Sequence, residues 1–290
     1  MTGFRTDLAE EAARGVPPGS LPGLETREEI REGFSFFHVA IRDRECAEKL
    51  GKPIGRYLTF SLKKGYKDDK GGFQTACRLL AEGFRGFVPP NGSALVAGLG
   101  NRFITSDAVG PETVRYVMAT RHLSETLPDH FGAIRRVAAV SPGVLGNTGI
   151  ESSALLSGIV REIRPDFLIA VDALASSSAK RLLTTVQITD TGLVPGGGVG
   201  NARAELTREK LGIPVIAVGV PTVIYAASLF REAFGGRLPP QNAGFPFDDL
   251  VVTPREIDGA VEDLSRLIGY ALDLALHPGM TLSDIAGYLS

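Results

Sequence analysis

From residue 94 to residue 218 the chain repeats one pattern: a short apolar run, a glycine-rich or acidic turn, then a stretch with helical spacing. The runs fall at 94–97, 137–140, 167–171, 183–188 and 215–218. Runs this short and this apolar read as strands buried on both faces, with the intervening helices as crossovers. The alternation predicts an α/β fold, a mostly parallel sheet flanked by helices. Strand-like runs at 36–41 and 56–62 and a helical pattern at 73–87 precede it. A chain of 290 residues that is 43% hydrophobic has the material for one large core. It is therefore read as a single α/β domain over 1–290. Residues 1–33, charged and punctuated by VPPGSLPG at 16–23, are read as a flexible N-terminal arm.

Helix starts are marked in three places. Thr148 and Glu151 have capping-box spacing. Thr253, Pro254 and Glu256 open a last helix, where Ile257, Val261, Leu264, Ile268, Ala271, Leu272 and Ala275 form one apolar stripe. Pro221 is read as the first turn of a helix after the strand at 215–218. That reading also disposes of the uncharged stretch 213–230 as a membrane span, because Pro214, Gly219 and Pro221 interrupt it.

Charge narrows the function classes. Lys and Arg number 31 against 33 Asp and Glu, so no basic excess draws the chain to nucleic acid or to a membrane surface. There is no Trp, and six Tyr do not make a base-stacking platform. Cys46 and Cys77 form no CxxC and read as buried thiols, so neither a zinc site nor any other metal or cofactor is expected. The first residues, MTGFRTDLAEEAARG, lack the apolar core of a secretory signal, and a cytoplasmic protein is expected.

In open α/β sheets the chemistry gathers outside the carboxyl ends of the strands. The candidates are therefore the residues just after each run: Gly98, Gly100, Asn101 and Asp107; Gly143, Thr148 and Glu151; Asp172; Asp190 and the glycines at 196–200. Asp172 interrupts an apolar sequence, FLIAV before it and ALA after it, where an unpaired carboxylate is expensive to bury. Its competing reading is the N-cap of a following helix or an acceptor of backbone N–H bonds. Asp107 stands four residues before Pro111, and its competing reading is a turn residue. Two carboxylates at one rim supply a base for water and an acid for the leaving amine, which is what amide hydrolysis requires. Other chemistries lack their residues. The turn at Gly98 and Gly100 has Phe103 where the dinucleotide fingerprint has its third glycine, and there is no P-loop, GxSxG or HExxH. Ser176, Ser177 and Ser178 are read as caps with a nucleophile as the alternative. His122 is read as structural, with a place at the site as the alternative.

Seven segments in order, GLGNRFITSDAVGPETV (98–114), TRHL (120–123), SPGVLGNTGIESS (141–153), RPDFLIAVDALASSS (164–178), TTVQITDTGLVPGGGVGNARAEL (184–206), LGIPVIAVGVPTVIYA (211–226) and VVTPREID (251–258), resemble the spore germination protease family. FRTDLAEEA at 4–12 resembles its N-terminal processing region. The resemblance implies an endopeptidase that degrades small acid-soluble DNA-coating spore proteins when spores germinate, inside the spore core. It implies an atypical acid protease with Asp107 and Asp172 as the catalytic pair, a zymogen processed near Asp7 and Leu8, a homotetramer, and a fold similar to the hydrogenase-maturation peptidases (phosphorylase/hydrolase-like). Gly98, Gly100, Asn101, His122, Gly143, Thr148, Glu151 and Asp190 are the expected supporting residues. The sequence departs from the family's pattern in a short segment before Thr6, a shortened region between Phe234 and Asp248, and Ser106 in place of a frequent Pro. Two alternatives come with the fold relatives: a nickel-recognising maturation peptidase, with His122 beside the two aspartates, and a non-enzymatic binding protein.

Overall fold

The computed structural model describes residues 6–126, 129, 134–194, 205–235 and 250–289. The glycines at 196–200 and the region 236–249 lie outside the described residues. Among the described residues nine strands form one sheet: β1 (Leu24–Arg31), β2 (Phe34–Ile41), β3 (Gly55–Ser61), β4 (Ala94–Gly98), β5 (Val137–Val140), β6 (Phe167–Ser176), β7 (Thr185–Thr189), β8 (Val215–Tyr225) and β9 (Val251–Val252). Their order is β1-β2-β3-β7-β8-β6-β4-β5, with β9 on β8. The α/β class with flanking helices is the one expected. The parallel part is narrower than the apolar runs imply, however. β8, β6, β4 and β5 run parallel, whereas β7 joins β8 antiparallel and β1, β2, β3 and β7 form an antiparallel half.

The helices divide between the two faces. On one face the Gly72–Arg85 helix and the Ile257–Leu276 helix share a core with Phe36, Leu58, Val96, Ile169 and Val218. The predicted stripe of the long helix is buried throughout, and each fully covered Leu or Ile there is worth roughly 1.5–3 kcal/mol of transfer from water. On the other face the Ser152–Ile163 helix lies on β4 and β6 through Leu156 and Val160, while α1 (Ala9–Arg14) lies on β2 and β3 through Ala9 and Ala13.

Three readings are corrected by the structure. Residues 6–33 are built into the fold: Leu8 and Ala9 are buried, and β1 pairs with β2 along its full length. Its sequence, LETREEIR, carries no apolar signal because an edge strand with solvent on its flank is kept charged. Pro221 does not open a helix, and β8 runs on to Tyr225. The proline falls at a register shift between Leu174 and Ala175 of β6, a place where a strand tolerates the lost N–H. The long helix starts at Ile257, because the Thr253 hydroxyl donates to Thr222 O (2.8 Å) instead of capping, and a further helix, Leu282–Leu289, follows it.

Candidate active site

The end of β4 is shaped by glycines. Gly98 stands in register with Val171, and a Cβ there would lie 2.1 Å from Gly110 O, so only glycine lets the Val109–Val114 helix sit flush on the strand. Leu99 N donates to Val171 O (2.8 Å), which keeps the chain beside β6 for one more residue. Gly100 then turns at φ +110°, a conformation that side chains rarely adopt. The turn leads to Asn101, whose N–H donates to Asp107 Oδ2 (2.7 Å). Asn101 Oδ1 in turn accepts from Phe103 N and from Asn147 Nδ2, both at 3.0 Å. Asp107 ends the helical turn Thr105–Asp107, and Thr222 Oγ1 ties that turn to β8 through Ser106 O (2.6 Å). Asp107 is thus fixed at the carboxyl end of β4 from both sides.

Asp172 follows Val171 on the neighbouring strand. It is 4% exposed and sits within β6, which continues to Ser176, so it is not the cap of a following helix. Its Oδ1 accepts from Ala173 N (2.9 Å). Asp172 pairs with Gly219, and Gly219 pairs with Gln187, so the three positions lie side by side on one face. That is the face on which the Ser152–Ile163 helix and α1 pack. A cleft of about 680 Å³ opens there, lined by Asp172, Gly219, Gln187, Asp190, Lys52 and Asp7 among others. The sheet therefore brings the two predicted carboxylates, 65 residues apart in sequence, to the carboxyl ends of adjacent strands.

The other expected residues divide. Gly98, Gly100 and Asn101 build the Asp107 turn. Asp190 lines the cleft, but both its oxygens are taken by Arg56, from N (2.8 Å) and from Nε (2.7 Å). Gly143 turns at φ +76° and its carbonyl accepts from Ser152 Oγ (2.7 Å). Thr148 and Glu151 do not form a capping box. Thr148 ends its own short helix, and its hydroxyl accepts from Ile150 N (3.1 Å), while Glu151 precedes the next helix without a side-chain cap. His122 is at the wrong end of the sheet. Its neighbour Arg121 donates to Ile163 O (3.1 Å), and the Thr120 hydroxyl accepts from Val137 N (3.0 Å), so this corner lies by the amino ends of β5 and β6. The serines at 176–178 are held by carboxylates: Ser176 and Ser177 by Glu11, and the Ser178 hydroxyl by Glu232 (2.6 Å).

Lys52 and Gln187 are cleft residues that the sequence pattern did not single out. Gln187 gives a signal, a lone amide in TTVQIT, but its meaning depends on what lies across the sheet. Gln187 Oε1 accepts from Ala9 N (2.7 Å) and Nε2 donates to Asp7 O (3.1 Å), and Lys52 Nζ donates to Thr6 O (2.7 Å). Asp7 exchanges two bonds with Ala175, from its own N to Ala175 O (2.9 Å) and from Ala175 N to its Oδ2 (2.7 Å). Burial raises the Asp7 carboxyl above its usual range, against the lowering effect of the Ala175 N–H, and burial lowers the Lys52 ammonium. The accessible backbone expected around Asp7 and Leu8 is absent, since Leu8 is 0% exposed.

The family model described as germination protease matches residues 7–235, a span that contains the whole arrangement. The chain belongs to the germination protease family. Relatives named germination protease are similar over nearly full length: 38% identical in Caldanaerobacter subterraneus subsp. tengcongensis over 98% of both chains, and 37% in Clostridium perfringens over 100% of both. In Halalkalibacterium halodurans the identity is 36%, over 98% of this chain and 96% of the relative. Among solved structures, the [NiFe] hydrogenase maturation protease HycI of Thermococcus kodakarensis covers 66% of this chain and 98% of its own, at 16% identity and a TM-score of 0.37. Membership makes the chain a peptidase of spore germination, acting on protein substrates. Among the described residues no helix is long and apolar enough to cross a membrane.

Proposed function

We propose that this germination protease cleaves small acid-soluble spore proteins with Asp107 and Asp172 as its catalytic pair. One observation carries the reading: two carboxylates distant in sequence stand at the ends of adjacent parallel strands, one of them almost wholly buried beside an open cleft. In the reaction one carboxylate takes a proton from water as the oxygen adds to the scissile carbonyl. The other, protonated, hydrogen-bonds the carbonyl oxygen as charge develops there and gives its proton to the leaving nitrogen as the C–N bond breaks. Two acids sharing a site titrate as a pair, so a bell-shaped pH profile belongs to the dyad and not to either residue. The nickel alternative loses its ligand set, because His122 lies at the opposite end of the strands from Asp107 and Asp172. A homotetramer and a zymogen form belong to the same proposal.

The test is digestion of an acid-soluble spore protein followed by mass spectrometry of the fragments. Asp107→Asn and Asp172→Asn keep the shape of the side chain and remove proton exchange, so each is expected to stay folded and to lose cleavage. A folded Asn variant that cleaves at a substantial fraction of the wild-type rate refutes the pair.

A further inference from the structure

β6 is supported on both sides only as far as Val171, because β4 ends at Gly98, its partner in the register. Beyond that point the strand carries Asp172, passes the irregularity between Leu174 and Ala175, and ends at Ser176 with β8 on one side. A strand tip of this kind has backbone groups to satisfy and freedom to twist. The N-terminal segment supplies the partners. Asp7 takes both the N–H and the carbonyl of Ala175. Glu11 takes the three serines that follow: its Oε1 accepts from Ser176 Oγ (2.8 Å) and Ser178 N (3.0 Å), and its Oε2 accepts from Ser177 N and Ser177 Oγ, both at 2.8 Å. The Thr6 hydroxyl also donates to Glu11. The segment is itself anchored, by Gln187 at Asp7 and Ala9, by Lys52 at Thr6, and by the Glu10–Arg181 ion pair.

The consequence for the site passes through one peptide unit. Ala173 N donates to Asp172 Oδ1, so the twist of the strand just after Asp172 sets where that donor points and how the carboxylate faces the cleft. We propose that Glu11 is a positioning residue for catalysis, gathering Ser176, Ser177 and Ser178 so that the tip of β6 presents the Asp172 carboxylate to the cleft at a fixed angle. The inference rests on Asp172 being catalytic.

The bonds of Glu11 run to Thr6, Ser176, Ser177 and Ser178, so its removal acts on placement and not on the chemistry itself. Displacing a catalytic group by about 1 Å lowers turnover on the order of 100-fold. Glu11→Ala deletes all the acceptors at once and is expected to lower kcat by about 10- to 100-fold with KM within about twofold. Glu11→Gln fills the same space and keeps one acceptor oxygen while facing the other donors with an amide. Its kcat is expected to lie between those of Glu11→Ala and wild type. The comparison uses the full chain below every variant's melting temperature, with the folded fraction set by circular dichroism, so that lost stability does not pass for lost turnover. Should Glu11→Ala not fold, Glu11→Gln decides alone by the same split of kcat from KM. Wild-type kcat in folded Glu11→Gln and Glu11→Ala, while Asp172→Asn is inactive, overturns the positioning role and leaves the aspartate pair standing. Full cleavage by Asp172→Asn overturns the pair itself.

Discussion

Gly100→Ala is the most direct perturbation of the Asp107 turn. Gly100 is at φ +110°, and a Cβ built there lies 2.0 Å from Asp107 O and 3.0 Å from Asp107 Oδ1. Heavy atoms settle at about 3.5 Å, so the 105–107 turn has to retreat by more than ~1 Å. Held in place by Thr222 and by Asn101 N, it retreats only by straining or breaking those bonds. Backbone strain of this kind costs about 1–3 kcal/mol. At about 2–4 °C per kcal/mol, the expected loss of melting temperature is between ~2 and ~12 °C. On the proposed catalytic role of Asp107, the expected effect on turnover is the larger one, on the order of 100-fold. The assay is thermal unfolding by circular dichroism beside kcat on an acid-soluble spore protein, with Asp107→Asn as the reference for a silent site. A Gly100→Ala protein that melts within about 1 °C of wild type and turns over within about twofold refutes the argument, since neither the strain nor the displacement would then exist.

The far end of the Ile257–Leu276 helix makes a separate set of expectations. His277, buried with neither ring nitrogen hydrogen-bonded among the described residues, has its pKa lowered to about 4, chiefly by burial and then by Arg135. The unfolded chain binds the proton first, so this group's stabilisation is present above pH ~6.5 and is lost as pH falls to about 4, by roughly 3 kcal/mol; His277→Leu is expected to flatten that loss in melting temperature measured against pH. Asp273, with its pKa raised by burial against the Met118 N–H, has the opposite sign: its native state holds the proton, and stability falls as pH rises through the carboxylate range toward the raised value. Asp273→Asn keeps the acceptor for Met118 N and is expected to raise the melting temperature at neutral pH, by a margin that shrinks toward pH ~4. Chelator treatment is expected to leave cleavage unchanged, and loss of activity restored by added metal is the contrary result. N-terminal trimming that leaves an active enzyme is expected to fall before Thr6, because a cut between Asp7 and Leu8 detaches the residues that hold Ala175 and Lys52; mass spectrometry of the active form reads this directly.

What the sequence determined by itself is whatever local physics writes into a short window. β4 and the first half of β6 are covered on both faces, so their apolar runs had no other plausible use, and the stripe from Ile257 to Ala275 is a helix facing a core. Asp172 was legible for the same reason, as a carboxylate standing where every neighbour is apolar. The residues that escaped owe their state to partners elsewhere in the chain. β1 is a strand because β2 pairs with it, and its charged sequence fits an edge as well as it fits a loop. Pro221 stays extended because the sheet shifts register beside it, an event set by β6. His122 is only 15 residues from Asp107, but in those residues the chain crosses from the carboxyl ends of the strands to their amino ends. The cleft itself joins residues 7, 52, 172, 187 and 219, which meet only when β6, β7 and β8 lie side by side and the N-terminal segment crosses them. Burial and periodicity are local properties of a sequence; pairing, register and the meeting of distant polar groups are decided when the sheet closes over its core.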